Sequence, residues 1–266
     1  MKIAVTGATG RVGSRVVELL EASDHNVVPM VRSTGVDVVT GEGLTTALAG
    51  VECVIDASSG SAQGHQRPTP EAAAEFFTAS ARNLHEIGQK AGVHRIVGVS
   101  VLGIDRFTTG HGAAKHTHEK AVLSGPIPVR VLRAALFHEM VPQLIDWGTQ
   151  GEVAHLRRMR IQPVASRAVA RALVDLATDP AWAASPKRSE RPLPEIAGPR
   201  EENLIDLAML FVARSGLPLR VQDVSDPNDP DDKIWEDGSL LPQPHAMLAG
   251  PTFEAWLDSD DANPAT

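Results

Sequence analysis

The sequence predicts an α/β protein: a doubly wound parallel sheet, with a smaller lobe contributed by the C-terminal half. Three observations lead there. Short apolar runs alternate with helical patterns through the first half, the rhythm of strands joined by crossover helices. A loop of spaced glycines falls between the first strand pattern and the first helix pattern. A chain of 266 residues, 42% hydrophobic and 22% charged, is long enough to bury a large core.

Residues 2–6 read as the first strand. Residues 12–21 read as a helix, because Val12, Val16, Leu19 and Leu20 recur on one face. Strands follow at 26–31 and 36–39, then a short helix at 44–49. Residues 52–57, carrying Cys53, Val54 and Ile55, form the continuous apolar run of a strand buried on both faces. After a loop at 58–70, Phe77, Leu84 and Ile87 set a long helix over 71–90. A strand at 94–100, a helix at 113–123 and a strand at 128–133 complete the alternation.

Beyond residue 135 the rhythm loosens. Residues 137–148 read as helix, 160–164 as extended, and 166–178 as a helix capped by Ser166. A proline-rich connection at 185–194 leads to an extended run and a helix at 201–215. The acidic stretch 223–237 reads as a solvated surface loop. The predicted division is a nucleotide-binding region at 1–134, a smaller lobe sharing its core at 135–257, and a frayed tail at 258–266.

Composition narrows the function. A lone cysteine, Cys53, excludes a disulfide framework and reads as core. No apolar run approaches the roughly 18 residues of a membrane span, and the opening strand pattern leads us to expect no signal peptide. A formal charge of -8 argues against nucleic acid and acidic membranes, so a small-molecule partner and a cytoplasmic location are expected. A monomer is expected in preference to a homodimer. His116 and His118, on either side of Thr117, point roughly 200° apart on a helix, so no metal site is expected from them and Glu119. The tryptophans at 147, 182, 235 and 256 read as packing anchors.

The glycine loop carries the chemistry. In Thr6-Gly-Ala-Thr-Gly-Arg-Val-Gly13, Gly7 suits a tight turn, Gly10 a close backbone approach to a pyrophosphate, and Gly13 close helix–strand packing. The following helix presents its free N–H groups and positive end to the phosphates, so Thr9, Arg11 and Val12 join the glycines in the expected cradle. An acidic residue at the end of the second strand would favour NAD. This chain instead has Arg32 and Ser33 there, and Arg11 nearby, which suit a 2′-phosphate and favour NADP over NAD.

With these residues the chain resembles an atypical short-chain dehydrogenase/reductase of the NmrA-like kind, a Rossmann fold. The resemblance extends through Asp56-Ala-Ser-Ser-Gly60, Arg95-Ile-Val-Gly-Val-Ser-Val-Leu-Gly-Ile-Asp105, Leu132-Arg-Ala-Ala-Leu-Phe-His138, Gln162-Pro-Val-Ala-Ser166 and Thr252-Phe-Glu-Ala-Trp-Leu257. It implies cofactor contacts at Ala57, Ser58 and Ser59, and substrate contacts at Phe137 and His138. In such reductases a Tyr four residues before a Lys moves the proton, with a Ser at the end of the neighbouring strand. The implied counterparts here are Ser100 and Lys115, with Lys115 also a ribose contact. The chain has no tyrosine, and His111 stands four residues before Lys115. An imidazole there is a candidate acid/base near neutral pH.

The function expected is NADP-dependent hydride transfer to a small apolar or aromatic carbonyl, quinone or enone. Two alternatives stay open: an NADP-binding redox sensor without turnover, or a non-redox isomerase, dehydratase or cyclase using the same cleft.

Overall fold

The computed structural model describes residues 1–59, 69–182 and 192–262. Its first half contains β1 (Lys2–Thr6), α1 (Arg11–Glu21), β2 (Asn26–Met30), α2 (Leu44–Ala47), β3 (Cys53–Asp56), α3 (Pro70–Ala91), β4 (Arg95–Val101), α4 (Gly110–Ser124) and β5 (Val129–Ala134). The second half adds α5 (Met140–Gly148), β6 (Thr149–Gln150), β7 (Val153–Arg157), β8 (Arg160–Ile161), α6 (Ser166–Thr178), β9 (Glu195–Ala197) and β10 (Glu202–Asn203). It ends with α7 (Leu204–Ser215), β11 (Arg220–Val224), α8 (Asp232–Glu236), β12 (Met247–Leu248) and α9 (Phe253–Leu257).

The central sheet runs β12-β9-β5-β4-β3-β1-β2, every pairing parallel. Strand alternation explains why both faces are covered. Ile3, Val5, Cys53, Ile55 and Val97 pack with Val12, Val16 and Leu20 of α1 and with Val169 and Leu173 of α6. Their sequence neighbours Ala4, Val54 and Ile96 face the other way, against Leu44, Leu48, Ala81, Leu84 and Val122. Each large apolar side chain buried this way contributes about 1.5–3 kcal/mol. Thr69 caps α3 by accepting from the Ala72 N–H, with Pro70 in the first turn, and Gly92 closes it in a left-handed conformation.

Several expectations are corrected. Residues 36–39 form no strand, so β2 is the sheet edge: Asp37 turns the chain by accepting from Val39 and Thr40 N–H, and Asn83 donates to the Val38 and Val39 carbonyls. The helix expected from 137 starts at Met140, because Phe137 is bridged in parallel to Val164. Ser166 does not cap α6; Ala165 holds that place, and the Ser166 hydroxyl donates to Glu139. The helix expected from 201 begins at Leu204, with Asn203 capping it and pairing with Arg160 across β8. Cys53 is fully buried, and burial pushes its thiol up to about 12.

The second half supplies the strands β9 and β12 and the helix α6 to the central sheet. It also holds a core of its own, in which Val141, Ile145, Leu156, Leu204, Leu207, Phe253 and Trp256 meet. The expected tail is partly held, since Asp261 pairs with Arg167 at 3.2 Å and Arg15 at 3.5 Å. Gly60 and most of the expected connections at 58–70 and 185–194 lie outside the described residues, as do the last four residues and the Trp182 side chain. Among the described residues no helix is long and apolar enough to cross a membrane.

Candidate functional site

The chain leaves β1 for β2 on one side and places β3 on the other, so the strand ends part between β1 and β3. Ligands of open parallel sheets bind at such a switch point. Register aligns Thr6 with Asp56 and Asp56 with Gly98, and Ser100 stands two residues further along β4.

The glycine loop bridges this point with almost no room to spare. Gly7 has φ +59°, and a Cβ there would lie 2.7 Å from the Ala57 carbonyl oxygen. At Gly13 a Cβ would lie 2.0 Å from the Gly7 oxygen, so the first turn of α1 rests directly on the loop. Gly10 begins α1 without a side-chain cap, and no acid occupies the first turn. The helix N–H groups and positive dipole end are thereby left for an anion. The site fits the pyrophosphate of a dinucleotide. Val12 is buried in the core and contributes through its backbone, whereas Thr9 and Gly10 are exposed at the rim.

Beneath the loop lies a buried polar network. Asp56 is 1% exposed; its Oδ1 accepts from the Thr6 hydroxyl, the Ser58 N–H at 3.1 Å and the Ser58 hydroxyl at 2.7 Å. Its Oδ2 lies 3.2 Å from His118 Nε2, a short contact set off the hydrogen-bonding axis. Lys115 Nζ is 3.0 Å from His118 Nδ1 and 3.4 Å from the Ser58 carbonyl. Phe77 of α3 floors the group, stacked on His118 at 4.7 Å, 4.7 Å from Lys115 Nζ and edge-on to His111 at 5.7 Å.

Burial alone would raise the Asp56 carboxyl, but the His118 ring, the Lys115 ammonium and the Thr6 hydroxyl hold it well below the usual range. Burial lowers Lys115 to about 8 despite Asp56 and Glu119. Burial, then Lys115, lowers His118 as well, which keeps the ring neutral.

His111 stands in the first turn of α4, which begins at Gly110 and not at 113 as expected. The i, i+4 spacing puts it on the Lys115 face of the helix. The acidic stretch is more than a solvated loop. Asp231, 3% exposed, accepts from the N–H and hydroxyl of both Thr108 and Thr109 and so anchors the start of α4. Arg133 of β5 ties α4 down further along through Glu119 at 2.7 Å. Ser100 is 3% exposed, and its hydroxyl has no hydrogen-bond partner among the described residues. A buried hydroxyl left unsatisfied costs about 1–3 kcal/mol, so it invites a ligand oxygen.

The remaining candidates are more scattered. Arg32 and Ser33 are exposed in a 3-10 turn beyond β2, while Arg11 donates to Gln143 of α5 at 2.9 Å. Ser58 is buried and committed to Asp56; Ser59 is exposed beside it. Phe137 is half-buried against the sheet core. His138 is not at the surface: it is fully buried, packed between Phe253 and Trp256, with Nε2 3.1 Å from the Pro251 carbonyl. Burial lowers it to about 4. Of the tryptophans, Trp256 is buried, Trp235 packs on Phe107, and Trp147 is half-buried.

Asp56 and His118 were not singled out as site residues from sequence. The available signal was Asp56 ending an apolar strand, together with Lys115 and His118 at i, i+3 on one helix face.

These features define a Rossmann fold with a glycine cradle at the switch point that suits a dinucleotide. Residues 7–125 match the model of a family described as NAD(P)H-binding, a match over somewhat less than half of the chain. A short-chain dehydrogenase/reductase superfamily protein from Agrobacterium tumefaciens, solved with bound NAD, is 18% identical. Its TM-score is 0.65, over 98% of this chain and 96% of that one. The Bordetella bronchiseptica enzyme WbmH, in complex with NAD+, is 14% identical with a TM-score of 0.64 over 97% and 98%. A nucleoside-diphosphate-sugar epimerase from Staphylococcus aureus is 16% identical with a TM-score of 0.60 over 97% and 96%. Likeness at this identity concerns the fold. No curated protein matches the sequence.

Proposed function

We propose that the protein is an NADP-dependent oxidoreductase of the NmrA-like kind, reducing a small apolar or aromatic carbonyl, quinone or enone. What supports the reading is the glycine cradle at the switch point, together with the Ser100 hydroxyl unpartnered among the described residues on β4, next to β3, and the His111–Lys115 face of α4. Gly7, Thr9, Gly10, Arg11, Val12 and Gly13 would hold the pyrophosphate. Arg32 and Ser33 would take the 2′-phosphate, and Ala57, Ser58 and Ser59 would line the groove. Lys115 would donate to the nicotinamide ribose. Phe137 would pack beside the substrate, and the buried His138 would support that wall. The bound cofactor supplies a hydride. Ser100 orients the acceptor oxygen, and His111 gives or takes a proton there.

Two measurements test this. NADPH is expected to bind at least about tenfold more tightly than NADH, and Arg32→Ala to erase that difference while leaving NADH binding unchanged. Equal affinities in the parent protein, measured by calorimetry, would refute the NADP preference. His111→Ala is expected to lower steady NADPH oxidation about 100-fold, with the cofactor affinity kept. Unchanged turnover would remove His111 from the chemistry.

The absence of tyrosine favours a second reading, an NADP-binding sensor. Tight NADPH binding without oxidation by any quinone or carbonyl would select it. We further propose a monomer acting on a small molecule in the cytoplasm; a dimer by light scattering would correct the first point.

A further inference from the structure

The buried pair Asp56–His118 is not used by the chemistry described so far, yet two ionisable groups in a protein interior require a reason. Neither makes the salt link of a surface. Asp56 is anchored by Thr6 and Ser58 at the ends of β1 and β3, and His118 is clamped flat on Phe77. The two rings of contacts leave His118 little freedom, and its two nitrogens face opposite charges: Nε2 faces the carboxylate and Nδ1 faces the lysine ammonium.

A neutral imidazole has one donor and one acceptor nitrogen. A carboxylate only accepts and an ammonium only donates, so the proton must lie on Nε2 and the bare lone pair on Nδ1. The ammonium has three N–H groups. One is used by His118 Nδ1 and one by the Ser58 carbonyl, which leaves the third for a ligand oxygen.

We propose that Asp56 and His118 are positioning residues for Lys115: the carboxylate fixes the His118 tautomer, and the ring holds the lysine charged with one N–H free for a ligand hydroxyl or carbonyl. The tautomer follows from the carboxylate and the ammonium on either side of the ring; only the ligand rests on the NADP reading. The charged and titratable groups facing this unit are Asp56 from β3, His85 from α3, whose charge couples to Asp56, and His111 and Glu119 from α4 itself. Lowered titration of Lys115 agrees with a charge held inside by few partners.

The test begins on the full-length wild type, with 15N and 13C NMR of its histidine rings and lysine side chains. His118 is expected as the neutral Nε2–H tautomer at pH 7, and the Lys115 Cε signal is expected to titrate near pH 8. An Nδ1–H tautomer or an imidazolium at pH 7 would overturn the proposal whether or not any cofactor binds. His118→Leu is expected to shift the Lys115 titration further down, and His118→Gln, whose carbonyl can accept from Nζ, to restore it. A shift equal in both variants, or absent in both, would make His118 a packing residue only. NADPH affinity closes the cycle. His118→Leu and Lys115→Met should each weaken it about tenfold, and the double variant no further. Additive losses would mean that His118 does not act through Lys115. A wild type binding neither NADPH nor NADH would refute the cofactor reading, and the tautomer and titration would still decide this one.

Discussion

Gly13→Ala is expected to abolish NADPH binding and to destabilise the fold by about 2–4 kcal/mol, a large part of a typical domain's stability. The added methyl would meet the Gly7 carbonyl oxygen at 2.0 Å, its carbon at 2.6 Å and the Ala8 Cα at 3.0 Å. All three are backbone atoms of the loop that would carry the pyrophosphate. Relief requires α1 to lift from the loop, and α1 packs on both the sheet and α6. Gly10→Ala is the control, since its Cβ would meet only the Gly7 oxygen, at 3.1 Å. It should cost far less. Urea denaturation and calorimetry measure both quantities. A Gly13→Ala variant with parental midpoint and affinity would show that the loop relaxes freely and that the glycines are not a cradle.

Lys115→Met is expected to do the opposite to stability while removing function. Lysine ordinarily titrates near 10.5 and Lys115 near 8, so between these values the unfolded chain binds the extra proton and the folded chain does not. This group therefore makes the wild type more stable as pH rises from about 8 to about 10.5, and below 8 its burial penalty is constant. The two and a half pH units correspond to about 3 kcal/mol. Asp56 and His118 lose a partner when the lysine goes, which offsets part of the gain. The expected net is a stabilisation of about 1–2 kcal/mol at pH 7 that fades above pH 10, with NADPH binding about tenfold weaker. Denaturation curves at pH 7 and pH 10 decide it. A loss of stability at pH 7 would mean the ammonium is a net stabiliser of Asp56.

Local signals revealed most of the fold. The strands through Ile3, Ile55 and Val97 are continuous apolar runs, and the helices at 11–21 and 166–178 present clean apolar faces, so period and length agree with the final packing. Residues 36–39 misled because Val36, Val38 and Val39 have strand propensity. The outcome rested on Asn83, more than forty residues away, taking two carbonyls that a neighbouring strand would have used. The second-half strand β11 was hidden for a similar reason: it is an exposed partner of β7 and has no apolar run of its own.

The candidate site divides along the same line. Gly7, Gly10, Gly13 and the His111–Lys115 spacing are legible in sequence, because a turn, a helix start and an i, i+4 pair are each fixed within a few residues of chain. His138 reads the same whether it lines a pocket or anchors a core; only its burial between Phe253 and Trp256 distinguishes them. Asp56 and His118 lie sixty-two positions apart and meet only because β3 ends beside α4 over Phe77. By itself, then, the chain's order of residues determined the parallel α/β sheet and the glycine loop, whose causes are local backbone geometry and hydrophobic period. Tertiary structure alone decided which ionisable groups share a dry interior and where their protons lie, since those depend on distances and burial that no spacing along the chain encodes.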